Sequence, residues 1–236
     1  MTLPRKRTAI LISGRGSNMA ALIAAAAEPG FPTEIVGVLS DRSDAPGLQA
    51  AQSLGVTARA VPRQDRDTNE AHERALDAAL SRLKAELICL AGYMRVLSPG
   101  FVQKWQGRLI NIHPALLPAF PGLDTHRRAL EAGLRVHGAT VHFVTAAIDD
   151  GPIIAQAAVP VLIGDGEAAL AERVLKAEHK LYPIALALLA GGKVMMKDGR
   201  AVFEGETLLE NGGTTLISPA SWAGPSDLQD LARITP

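Results

Sequence analysis

Cross-links, net charge and a long apolar run are all missing from this chain. One cysteine among 236 residues, Cys89, makes an internal disulfide impossible. It lies within Leu87-Ile88-Cys89-Leu90, where a buried, inert thiol is the expected state rather than a nucleophile. Lys plus Arg and Asp plus Glu both number 24, so no overall field recruits nucleic acid or an anionic membrane, although a local phosphate site remains open. The longest apolar stretch, near Ile184 to Ala190, falls well short of the roughly 20 residues that span a bilayer. The basic cluster Arg5-Lys6-Arg7 is followed by too few apolar residues for a signal peptide. A cytoplasmic protein acting on small molecules, without nucleic-acid or membrane partners and as monomer or homodimer, is the expectation. No metal is expected either: His72, His126 and His179 lack a shared-site spacing, and no H-E-x-x-H occurs.

What is present is an alternation of strand and helix. Buried strands are expected at Thr8–Ser13, Ile35–Ser40, Leu87–Ala91 and Leu109–Ile112, each short and rich in large aliphatic side chains. Helices are expected at Ser17–Ala27, stopped by Pro29-Gly30, at Pro46–Leu54, and over 66–84, with another opening at Ser98-Pro99. Further on come a short helix at Thr125–Ala132, strands at Thr140–Val144 and Ile153–Leu162, a long helix over 166–190 and a hairpin over 194–203. His137 and His142, an odd number apart, would face opposite sides of a strand as structural or surface residues. Repeated βα units imply an α/β fold, a mostly parallel twisted sheet with helices on both faces. We expect one domain over 1–204, with a phosphate-binding half at 1–110 and a catalytic half at 111–204, then a loosely ordered tail over 205–236.

Two segments carry chemistry. Asn111 and His113 are spaced i, i+2 at the end of an apolar run that breaks at Pro114, so both point to one side of a strand. An amide to meet a developing oxyanion beside an imidazole to move protons is what acyl transfer requires. The plain alternative is a satisfied Asn beside a core His. Earlier, Ser13-Gly14-Arg15-Gly16-Ser17-Asn18 joins the first strand to the first helix, where glycines permit a tight turn and free N–H groups can cradle a phosphate. A dinucleotide fingerprint is incomplete, since the third glycine would fall at Met19, although Asp41 stands near where a ribose-binding acid would. Ligands in such sheets bind beyond the strand carboxyl ends, so these two segments should be neighbours.

Taken in order, six motifs resemble the phosphoribosylglycinamide formyltransferases. They are Leu11-Ile12-Ser13-Gly14-x-Gly16-Ser17-Asn18, Leu90 through Ser98, Asn111-Ile112-His113-Pro114-x-Leu116-Leu117-Pro118, His137-Gly138-x-Thr140 through Val144, Asp149 through Ile154, and Glu178-His179. The resemblance covers nearly all of 7–203 and implies a Rossmann-like formyltransferase fold. It also implies transfer of a formyl group from 10-formyltetrahydrofolate, as co-substrate, to the amine of glycinamide ribonucleotide, a step of purine synthesis. By position it places the ribonucleotide on Gly16, Ser17, Asn18 and Glu178. The folate falls on Met94, Arg95, Val96, Leu97 and Asn111. Catalysis falls on Asn111, His113 and Asp149. Asn69 stands where relatives often carry a basic residue for the folate tail, and Arg66 is the candidate substitute.

Aspartate before Asp150-Gly151-Pro152 is also a common turn former, and a helical glutamate such as Glu178 is ordinarily a solvated charge. Among other readings, the fold also serves initiator-tRNA formylation, for which a large basic C-terminal domain would be expected. Sugar-nucleotide formylation is a further use of it. Formyltetrahydrofolate hydrolysis is another, with an extra N-terminal domain expected there. A non-catalytic nucleotide-binding module would leave Asn111, His113 and Asp149 without a role.

Overall fold

The computed structural model describes residues 4–63, 68–204 and 216–218. Contacts divide the chain into two units, Met1–Asn111 with Phe143–Ile148, and Ile112–His142 with Asp149–Pro236.

The first unit runs β1 (Lys6–Ile12), α1 (Ser17–Ala27), β2 (Thr33–Ser40), α2 (Pro46–Ser53), β3 (Ala58–Ala60), α3 (Asn69–Arg82), β4 (Leu87–Leu90), α4 (Pro99–Lys104) and into β5 (Leu109–His113). Its strands are parallel, in the order β5-β4-β1-β2-β3. Ala9 to Ile12 and Leu87 to Leu90 are buried throughout, as apolar runs in a sheet covered on both faces must be. The apolar stripe of α3, Leu76, Ala79 and Leu80, packs with Leu11, Ile88, Leu97, Phe101 and Trp105 in one cluster. Each fully buried aliphatic side chain there contributes roughly 1.5–3 kcal/mol. Helix starts follow local chemistry: Thr68 accepts from Ala71 N at 3.2 Å, and Ser98 from Phe101 N at 3.2 Å. The chain builds outward from β1 through β2 to β3, then returns to β4 on the other flank. The topological switch point therefore lies between the carboxyl ends of β1 and β4.

The second unit holds α5 (Thr125–Glu131), most of β6 (Val136–Phe143), β7 (Ile153–Pro160), α6 (Glu167–Ala190), the hairpin β8 (Val194–Lys197) and β9 (Arg200–Phe203), and β10 (Leu216–Ser218). β7 pairs antiparallel with both β6 and β10. Gly138 is required where these strands pack: a Cβ there would stand 1.9 Å from the Ala157 carbonyl oxygen. α6 continues through Pro183, which ordinarily costs about 3 kcal/mol. Burial of Leu181, Tyr182, Ala185 and Leu186 around it offsets that loss. In the β8–β9 turn, Asp198 and Gly199 both take positive φ, 49° and 71°, as a two-residue hairpin demands.

Among the described residues, the order of elements follows the sequence expectation, and parallel pairings predominate in the main sheet. Two strands were not anticipated: β3, whose Ala-Arg-Ala lacks strand-forming side chains, and β10 in the tail. Both gain their hydrogen bonds from a neighbour, β2 and β7, rather than from propensity. Arg66 and the remainder of the tail lie outside the described residues. No described helix is long and apolar enough to cross a membrane.

Candidate active site

The glycine turn leaves β1 at the switch point. Gly16 adopts φ 75°, and α1 begins at Ser17 with no side-chain cap and no acidic residue in its first turn. That helix end therefore presents positive dipole and uncapped N–H character to an anion. α2 approaches so closely that Gly47 N donates to Gly14 O at 3.0 Å, and a Cβ on Gly47 would sit 2.8 Å from that oxygen. Ser17 is exposed, Gly16 partly so, and Asn18 buried.

Across the switch point, Gly92 to Leu97 follow β4. Tyr93 and Leu97 turn inward into the core, whereas Met94 and Val96 stand 69% and 65% exposed, an apolar surface next to the glycine turn. The two segments are bonded: Ser13 N donates to Gly92 O at 3.0 Å, and Met94 N to Ser13 Oγ at 2.9 Å. Asn111, in the middle of β5, pairs with Leu90, the last residue of β4, so it lies beside the same end of the unit's sheet. The expectation that the glycine and Asn/His-bearing strands end near one another therefore holds through β4. Asn69 is exposed at the first residue of α3. Asp41, weighed above as a ribose acid, is instead committed within the protein, accepting from Ser13 Oγ at 2.6 Å and Arg95 Nε at 2.7 Å.

The second unit supplies the titratable groups. His113 Nδ1 lies 3.3 Å from Asp149 Oδ2, with the two side chains 7% and 11% exposed. Its Nε2 donates to the Phe120 carbonyl at 2.9 Å. Both ring nitrogens thus face oxygen atoms. Asp149 takes φ 52° and also accepts Gly122 N at 2.8 Å, while His142 Nε2 lies 3.8 Å from its other oxygen. Its neighbour Asp150 is exposed.

Burial bears on three of these residues. Glu178, which a helical position alone would leave solvated, is buried on α6. His137 and His142, expected on opposite sides of a strand as structural or surface residues, are both buried, because every residue of β6 after Val136 is. Desolvation lowers the His137 pKa to about 4, reinforced by His126, whose ring meets it edge-on, and opposed by a hydrogen bond to the Pro114 carbonyl.

Sequence reasoning missed the support of the proline loop. Thr140 Oγ donates to Ala115 O at 2.7 Å while accepting from Leu117 N and Gln156 Nε2, each at 3.0 Å. Gln156 also donates to Leu117 O at 2.9 Å. Thr140 sits inside a recognised motif, which was a usable signal; Gln156 carries none, since only strand pairing brings β7 beside β6.

A mostly parallel sheet with a glycine turn at its switch point defines a protein of the Rossmann-like class. The formyl transferase family model matches residues 6–186, and the chain belongs to that family. It is 42% identical over 203 residues to the phosphoribosylglycinamide formyltransferase of Escherichia coli (strain K12), covering 86% of this chain and 96% of that protein. The crystal structure of phosphoribosylglycinamide formyltransferase from Brucella melitensis is similar at 57% identity and a TM-score of 0.77, over 82% of this chain and all of that one. A formyltetrahydrofolate deformylase structure from Pseudomonas syringae is similar at 25% identity and a TM-score of 0.78, over 86% of this chain and 67% of that one. The trifunctional purine biosynthetic protein adenosine-3 of Drosophila pseudoobscura is 48% identical over 194 residues, 81% of this chain. This chain spans only 14% of that protein's length.

Proposed function

We propose that this chain transfers the formyl group of 10-formyltetrahydrofolate to the amine of 5-phosphoribosylglycinamide. The products are formylglycinamide ribonucleotide and tetrahydrofolate, in cytoplasmic de novo purine synthesis. The buried His113–Asp149 pair carries this reading, set in a member of the formyl transferase family whose full-length E. coli relative has that name.

The ribonucleotide phosphate binds at Gly16, Ser17 and Asn18, drawn by the uncapped start of α1. Glu178 orients the amine. The pterin lies along Met94, Arg95, Val96 and Leu97, whose outward Met94 and Val96 offer apolar contact to the face of the flat ring while its polar edge is left to backbone groups. Asn69 lies toward the folate tail. The amine attacks the formyl carbon, and the C–N bond forms as the carbonyl electrons move to oxygen. Asn111 donates to that oxyanion, an interaction of about 2.7–4 kcal/mol in acyl-transfer sites. His113 relays the amine proton toward the leaving nitrogen while Asp149 holds its ring. The oxyanion then collapses, the bond to N10 of the folate breaks, and the amine proton ends on that nitrogen. Bringing two bound reactants together supplies a further ~7–11 kcal/mol.

The test follows loss of 10-formyltetrahydrofolate with and without the ribonucleotide. Formylated ribonucleotide appearing only when the acceptor is present supports transfer. Equal loss without it identifies a hydrolase.

A further inference from the structure

Asp41 has no part in the chemistry above, yet its carboxylate is nearly buried, with a side chain 6% exposed. A buried charge persists only where it is paired and hydrogen-bonded. Here each oxygen has its own partner: Oδ1 takes the Ser13 hydroxyl at 2.6 Å and Oδ2 takes Arg95 Nε at 2.7 Å. Ser13 Oγ, having given its only proton to Asp41, accepts the Met94 amide at 2.9 Å. Met94 and Arg95 are consecutive, so the bonds close a ring through Ser13 after β1, Asp41 after β2 and the segment after β4. Ser13 opens the glycine turn, and Met94–Arg95 opens the strip assigned above to the pterin.

We propose that Asp41 is a positioning residue which, through Ser13, fixes the glycine turn and the 94–97 segment in one arrangement, so that the two substrates are held together rather than separately. The proposal rests on the function given above. Neither Asp41 nor Ser13 touches reacting atoms. Their effect falls on the placement of both ligands at once, because each bond of the ring restrains both segments.

The test uses the full chain with Ser13→Ala, Asp41→Asn and the double variant, plus Ser13→Thr, which keeps the hydroxyl. Ser13→Ala should raise amide exchange at Met94 about tenfold, the size of one buried hydrogen bond. Each single variant should raise KM for the ribonucleotide and for the folate together, by about five- to tenfold, with kcat changed less than threefold. The double variant should be no worse than the worse single one, since both cut the same ring. Ser13→Thr should restore both KM values. A variant that lowers only thermal stability, moves one KM alone, or multiplies its effect in the double would overturn the proposal. So would unchanged exchange at Met94. Where Ser13→Ala does not fold, Asp41→Asn, which keeps the side-chain shape, reads the same quantities. Wild-type protein that makes no formylated ribonucleotide refutes the function instead, and the exchange result still decides the ring.

Discussion

His113 and Asp149 face each other at 3.3 Å, and the same carboxylate oxygen receives the amide of Gly122 at 2.8 Å. One aspartate thereby orients the imidazole and anchors the loop that leads away from it. Phe120, in that loop, accepts from the other ring nitrogen at 2.9 Å, so the ring is held from both ends.

Removing the imidazole should therefore stop chemistry without removing the folate. His113→Ala is expected to lower kcat at least a hundredfold, the low end of a general-acid contribution, while the Kd of a folate analogue changes little. Asp149→Asn should lose a comparable factor and also loosen the Gly122 turn. Single-turnover rates with separately measured affinities check both, and near-normal turnover in His113→Ala removes it from the mechanism.

The uncapped start of α1 predicts where the ribonucleotide spends its binding energy. An acceptor analogue lacking the 5-phosphate should bind at least a hundredfold more weakly by calorimetry. Equal affinity for the two ligands refutes the cradle.

Thr140 tests the loop support. Thr140→Val keeps the shape but removes the hydroxyl's three bonds, to Ala115 O, Leu117 N and Gln156 Nε2, while Leu117 N keeps Ala115 O and Gln156 Nε2 keeps Leu117 O. Each lost hydrogen bond costs about 0.5–1.5 kcal/mol, and the urea midpoint should fall accordingly, with turnover reduced because the Asn111–His113 strand runs into this loop. A variant as stable as wild type would mean that water replaces the hydroxyl.

Gly138→Ala is a packing test. Its methyl carbon would fall 1.9 Å from the Ala157 carbonyl, so β6 and β7 must separate. Overpacking typically costs 1–3 kcal/mol and a backbone collision about that much or more. Thermal unfolding should show the loss directly, and an unshifted midpoint contradicts the strand register.

Acidification should destabilise the protein through His137. Its folded pKa, about 4, lies below the ordinary 6.5 because burial disfavours the charged ring. Above pH 6.5 the ring is neutral in both states and this stability is complete. Between 6.5 and 4 only the unfolded chain takes up the proton, so stability falls as pH falls, by up to about 3 kcal/mol. His137→Gln should flatten that part of the stability curve, and an unaltered slope would assign the acid transition elsewhere.

Strand and helix order was legible because burial imposes periodicity: continuous apolar runs for strands covered on both faces, a 3.6-residue stripe for α3, glycine and proline at the breaks. That Asn111 and His113 stand two apart on one strand was legible for the same reason, since i, i+2 spacing is a local property. Three things were not. Glu178 reads as a surface charge until α6 turns it inward, Gln156 reads as any polar strand residue until β7 lies beside β6, and Asp41 resembles a ribose ligand until Ser13 and Arg95 close around it. Local sequence sets which way a side chain leaves its own backbone. Which distant groups it then meets depends on the order and register of strands far apart in the chain, and that only the folded structure decides.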